Sequence, residues 1–151
     1  MRPRGYFGIG IENAKIEFNV GTLWRSAYAM GASYIFTVGR RIRQQSSDTT
    51  RAWRHIPYFN YEGLDELYAA LPYDCQLVGV EFPHAGAREL SRFTHPDRCV
   101  YLLGAEDTGL SQKALRRCHH IVYIEGSVCL NVAAAGSIIM YDRRAKFASR
   151  R

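Results

Sequence analysis

A chain of 151 residues with 47% hydrophobic content has room for one sizeable core, which excludes both a disordered polymer and a pair of full catalytic domains. No apolar run approaches the roughly 20 residues that cross a bilayer; Glu12 interrupts the apolar stretch after Met1-Arg2-Pro3-Arg4 too soon for a signal peptide, and a cytoplasmic protein is expected. The net charge of +6, drawn mainly from arginine and divided between both halves of the chain, favours an anionic partner such as nucleic acid or a nucleotide.

In chain order, the apolar run 6–11 predicts a first strand. Residues 19–31 then change period: Leu23, Ala27 and Met30 share one helical face, Asn19 is a candidate N-cap, and Gly31 is a natural stop. Residues 33–38 read as a second strand, rich in β-branched and aromatic side chains. The polar, basic stretch 39–51 has no period and reads as an exposed loop, followed by a helical turn near Ala52 to His55. A short strand over 56–61, a helix over 62–71 and a strand over 76–82 come next, with at most a brief helix over 86–90.

The strand 98–103 runs straight into Gly104-Ala105-Glu106-Asp107-Thr108-Gly109-Leu110, and Ser111 can cap a short helix over 112–118. A last strand over 121–124, a loop over 125–128 and a long helix over 130–147 complete the chain. The helix carries its basic residues at the C-terminal end, as its dipole favours. Alternating strands and helices predict an α/β fold with a mostly parallel sheet covered on both faces. No repeat or linker divides it, so residues 1–151 are expected to be one domain.

Ligands of open α/β sheets bind beyond the C-terminal strand ends, which makes the glycine-bearing loops there candidate site loops. Gly8-Ile9-Gly10 lacks the third glycine of a dinucleotide fingerprint, and no phosphate-binding GxxxxGK[ST] occurs. Cys118-His119-His120 has no further metal ligands nearby in sequence, so no metal is expected. Cys75, Cys99, Cys118 and Cys129 form no CxxC pair and read as buried thiols.

Three segments, in order, carry a resemblance: Asn19-Val20-Gly21-Thr22-Leu23-Trp24-Arg25-Ser26-Ala27, then Leu103-Gly104-Ala105-Glu106-Asp107-Thr108-Gly109-Leu110, then Cys129-Leu130-Asn131-Val132-Ala133-Ala134-Ala135. Together they resemble the SPOUT superfamily of RNA methyltransferases, of the TrmH/SpoU type that methylates ribose 2'-OH groups. The resemblance implies an α/β-knot with a deep C-terminal trefoil knot. It also implies S-adenosylmethionine held by loops 78–84, 103–109 and 123–131, and a homodimer formed through the first and last helices. The chain has the size of minimal members without an added RNA-binding domain, which points to tRNA ahead of rRNA.

Residue by residue, the resemblance gives Arg25, Glu106, Asn131 and Cys129 as catalytic. Val80, Leu103, Gly104, Glu106, Gly109, Ile124 and Leu130 would hold the cofactor, and Asn19, Arg25, Arg40, Arg41, Arg43 and Arg51 would contact RNA. A guanidinium stays protonated in proteins, so Arg25 suits gripping a phosphate and stabilising a developing alkoxide better than acting as a base. Cys129 departs from the pattern, which commonly has serine there; a thiol is a weaker donor, and Ser127 is a candidate substitute. Arg143, Arg144, Lys146, Arg150 and Arg151 form a second basic patch. The competing expectations are a catalytically weak RNA-binding member of the same fold and a base methyltransferase.

Overall fold

The computed structural model describes residues 5–39, 55–84 and 86–150. Within them, β1 (Tyr6–Glu12), β2 (Tyr34–Val38), β3 (Tyr58–Tyr61), β4 (Gln76–Val80), β5 (Arg88–Glu89), β6 (Arg98–Leu103) and β7 (His120–Tyr123) form one sheet, in the order β3-β2-β1-β6-β4-β7-β5. Every pairing is parallel. Strand β7 lies between β4 and β5, although β5 and β6 both separate it from β4 in sequence. This interleaving is consistent with the expected α/β-knot.

Parallel strands bury both faces, and β6 shows it residue by residue. Cys99, Tyr101 and Leu103 pack with Leu23, Trp24 and Ala27 of α1 (Glu17–Met30) and with Ile139 and Met140 of α4 (Val132–Ala148). Val100 and Leu102 face the opposite layer, with Leu64 and Leu67 of α2 (Leu64–Ala69) and Ala114 of α3 (Gln112–Arg117). On β1, Gly8 leaves room for an aromatic ring; a Cβ there would lie 2.6 Å from the Tyr34 ring. No described helix is long and apolar enough to cross a membrane.

Several elements differ from expectation for identifiable reasons. Helix α1 starts at Glu17, so Asn19 is a buried helical residue and not the N-cap; Ile16 holds that position without a side-chain cap. Gly31 ends the helix in the left-handed region at φ 85°, as expected. Residues 88–89 form β5 and not a helix, because Arg88 and Glu89 pair with Val122 and Tyr123; a 3₁₀ turn follows at Leu90–Arg92. The helix expected over 62–71 is confined to Leu64–Ala69. Ser111 caps α3 by accepting from Ala114 N.

The C-terminal half of α4 is also not the open basic surface its composition suggested. Arg143 is buried, donates to the Pro96 and Asp97 carbonyls at 2.6 and 2.8 Å, and lies between the Phe7 and Phe147 rings. Lys146 donates to the Leu90 and Phe93 carbonyls and pairs with Asp142 at 2.7 Å. Arg150 reaches Asp97 and the His95 carbonyl. These cations fasten segment 90–97 to the helix.

Candidate active site

Because the strands are parallel, the loops leaving β1, β4, β6 and β7 emerge on one edge. The register sets their tips level: Ile11 pairs with Leu103, Leu103 with Val80, and Val80 with Val122. Between these loops and the start of α1 lies a cavity of about 570 Å³. All the residues expected to hold the cofactor line it: Val80, Leu103, Gly104, Glu106, Gly109, Ile124 and Leu130. Loops 78–84, 103–109 and 123–131 each contribute to the wall, as the resemblance implied.

The polar side of the cavity is a chain of three side chains from three distant segments. Asn19 Nδ2 donates to Glu106 Oε1 at 2.8 Å, and Asn131 Nδ2 donates to Asn19 Oδ1 at 3.0 Å. Asn131 Oδ1 meanwhile accepts from Ala133 N and Ala134 N at 2.9 and 3.2 Å, capping α4. Asn131 therefore caps a helix and faces the site at once. Lys15 N donates to Glu106 Oε2 at 3.1 Å. Burial raises the Glu106 carboxyl, but hydrogen bonds from Asn19 and from the amides of Glu106, Lys15 and Ile16 outweigh it and hold the group below its ordinary value. Glu106 is thereby kept ionised, and its carboxylate sits at the start of α1, where an N-terminus favours negative charge.

Cys129 lines the cavity and is exposed, unlike the buried Cys75 and Cys99. Ser127 is exposed and does not line it. Arg25 also lies outside the wall, exposed on α1. It lies six positions after Asn19, which in a helix is about 9 Å along the axis and about 120° around it. The structure thus brings Asn19, Glu106, Asn131 and Cys129 together and leaves Arg25 apart from them. Asn19 is buried with both ends of its amide engaged, which makes it a brace between loops and not an open RNA contact. Arg40, Arg41, Arg43 and Arg51 lie outside the described residues.

Two carboxylates that sequence reasoning passed over also belong here. Glu12, buried at the end of β1, accepts from Ser111 N and Ser111 Oγ at 2.7 and 2.8 Å. Glu81, just past β4, accepts from Leu110 N at 2.7 Å and lines the cavity. Their signal was an acidic residue closing an apolar strand on the ligand edge. In the Cys118-His119-His120 run, His119 Nδ1 accepts from Leu77 N, and His120 Nε2 bonds to Gln76.

Comparison with known proteins adds three findings. The family model described as the SpoU rRNA Methylase family matches residues 7–141. Among solved structures, the chain is similar to the SpoU methyltransferase AviRb from Streptomyces viridochromogenes, at 23% identity and a TM-score of 0.85. The match covers 98% of this chain and 62% of AviRb, so the chain spans about three fifths of that protein. It is similar to an AdoMet-bound rRNA methyltransferase from Sinorhizobium meliloti, at 26% identity and a TM-score of 0.78, over 97% of this chain and 59% of the other. It is also similar to a protein solved for the 2-OH methylation of C/U34 on tRNA, at 21% identity and a TM-score of 0.83, over 99% of this chain and 100% of the other. No curated protein sequence matches it significantly.

Proposed function

This chain belongs to the SpoU rRNA Methylase family, and from that premise we propose that it transfers a methyl group from S-adenosylmethionine to a ribose 2'-OH of RNA. The observation that carries the proposal is the Asn19–Glu106–Asn131 chain on the wall of a cavity built from the three family segments. The cavity suits the cofactor. Val80, Leu103, Ile124 and Leu130 offer apolar surface for an adenine ring, and the turn between Gly104 and Gly109 offers backbone groups at close range. When bound, S-adenosylmethionine supplies a methyl group already activated by its sulfonium, so the reaction calls for neither a protein nucleophile nor a metal.

The chain's own residues then position and stabilise. Arg25 grips the phosphate next to the target ribose and stabilises charge developing on the 2' oxygen. Glu106 and Asn131, braced by Asn19, fix the loops around the reacting groups, and Cys129 presents its thiol at the rim. Arg40, Arg41, Arg43 and Arg51 hold the RNA backbone. The substrate we favour is tRNA, because the C/U34 protein matches over its whole length and nothing in it exceeds this chain. The motif set supports a TrmL-like reading, with residues 1–151 acting as one methyltransferase domain.

Two copies would supply the RNA surface between them. Phe18 and Tyr28 on α1 and Ile138 and Tyr141 on α4 are large, exposed and apolar, and burying them between copies accounts for their exposure. The setting we infer is the cytoplasm, where free thiols such as Cys75 and Cys99 persist. The test is methyl transfer from labelled S-adenosylmethionine to total undermodified RNA, followed by nucleoside analysis. Label in a 2'-O-methyl nucleoside supports the proposal and names the nucleotide. Label in a methylated base replaces it with a base methyltransferase. RNA and cofactor binding without transfer to any RNA leaves an RNA-binding member.

A further inference from the structure

The turn after β6 is closed on itself, with Gly109 N donating to the Ala105 carbonyl at 2.9 Å and Ala105 N to the Gly109 carbonyl at 3.3 Å. The next two amides, Leu110 and Ser111, need acceptors from elsewhere. Each takes a carboxylate from a different strand end. Ser111 goes to the buried Glu12, which holds the start of α3. Leu110 goes to Glu81, and this carboxylate is differently placed. It is only partly buried, it faces the cavity, and its second oxygen accepts from Phe82 N at 2.8 Å.

One side chain therefore ties together two walls of the cavity, the loop after β4 and the turn after β6. Gly109 makes the close approach feasible. Its φ is +68°, and a Cβ there would lie 2.7 Å from Glu81 Oε2. A carboxylate is the group that fits, since it must accept at both ends. An amide would turn an NH2 toward one of two N–H donors.

We propose that Glu81 is a positioning residue for the cofactor, holding the 104–110 turn against Phe82 so that both loops grip S-adenosylmethionine together. The inference rests on the function proposed above, and it assigns Glu81 to cofactor affinity and not to the transfer step. Glu81→Gln keeps the size and removes one of the two acceptors; Glu81→Asp keeps both acceptors on a shorter arm.

The experiment measures calorimetric binding of S-adenosylmethionine and S-adenosylhomocysteine, steady-state kinetics on the unmethylated substrate RNA, and amide exchange at Leu110 and Ser111. For Glu81→Gln the expected result is a rise of about tenfold in cofactor Kd and KM, with kcat within about threefold of wild type. Leu110 exchange should quicken by about tenfold while Ser111, held by Glu12, stays protected. Unchanged cofactor Kd, or a fall in kcat at unchanged Kd, overturns the inference. If Glu81→Gln unfolds more than a few degrees early, Glu81→Asp carries the comparison, with a severalfold rise in Kd expected and an unchanged Kd overturning it. Wild-type protein that binds neither ligand overturns the proposed function and this inference with it. Wild type that binds, beside a Glu81→Gln variant that binds equally well, overturns this inference alone.

Discussion

Arg25 and Cys129 divide the candidate chemistry between a residue outside the cavity wall and one on its rim. Arg25 is exposed on α1 and makes no part of the wall, so its removal leaves the cofactor surface intact. Arg25→Ala is therefore expected to lower methyl transfer by at least about 100-fold, the scale of removing a charge-stabilising donor. Cofactor Kd should stay within about twofold. A parallel loss of both in a folded variant would remove Arg25 from the transfer step. Cys129 makes the opposite case. Its thiol donates weakly where a hydroxyl donates well, and its exposed position leaves room for either. Cys129→Ser is expected to keep or raise the transfer rate. A large loss of rate with cofactor binding preserved would show that the thiol itself is wanted there.

Helices α1 and α4 show which features a sequence carries locally and which it borrows from elsewhere. The end of α1 at Gly31 was legible, because it is made by the residue at that position. The start of α1 was not. It has no side-chain cap of its own, and the amides of Lys15 and Ile16 are met by Glu106 from a loop some ninety residues on. The basic end of α4 misled for a related reason: Arg143 and Lys146 look like a surface patch until segment 90–97 arrives to use them. The two-residue β5 has no pattern to read and exists through its pairing with β7.

The same packing makes α4 sensitive to acid. His95 is buried, with Nδ1 bonded to Tyr101 Oη at 2.6 Å and Nε2 to Asp142 at 2.8 Å, and Arg143 and Lys146 lie close by. Burial lowers its pKa from 6.5 to about 4, against the pull of Asp142. The depressed value means the unfolded chain binds the extra proton first as pH falls. The stability His95 contributes is therefore complete above about pH 6.5 and is lost as pH drops toward 4. The full window is worth about 3 kcal/mol. Urea unfolding of wild type should lose that much more between these limits than a folded His95→Gln variant. Equal slopes for the two proteins would refute the assignment.

At the scale of the whole molecule, the sheet order was the least legible feature and the cavity depends on it. Periodicity identified most strands, but nothing local says that β7 inserts between β4 and β5. Only the three family segments implied that loops after β4, β6 and β7 would meet, and they meet with Asn19 at a single wall. The distribution of charge is likewise a property of the folded chain. A net +6 suggested two basic surfaces. The fold engages Arg143 and Lys146 in internal bonds, while Arg144 and Arg150 stay exposed and each reaches a backbone carbonyl at 3.4 Å. Arg143 and Lys146 are thus committed internally, and under the proposed function this favours the arginines between 40 and 51 for phosphate binding.

Replacing Arg40, Arg41 and Arg43 together with glutamate should weaken RNA binding and flatten its dependence on salt. Each phosphate of a single-stranded RNA that is no longer neutralised takes about 0.7 off the slope of log K against log salt, so three of them take off about 2. Arg144→Glu should change the slope by less than a single phosphate does. Cofactor affinity should be unaffected by Arg144→Glu, which replaces no residue of the described cavity wall. If the triple variant binds RNA with the wild-type slope, the RNA path does not cross the 40–51 segment. Weakened binding confined to Arg144→Glu would return the RNA surface to the exposed face of α4.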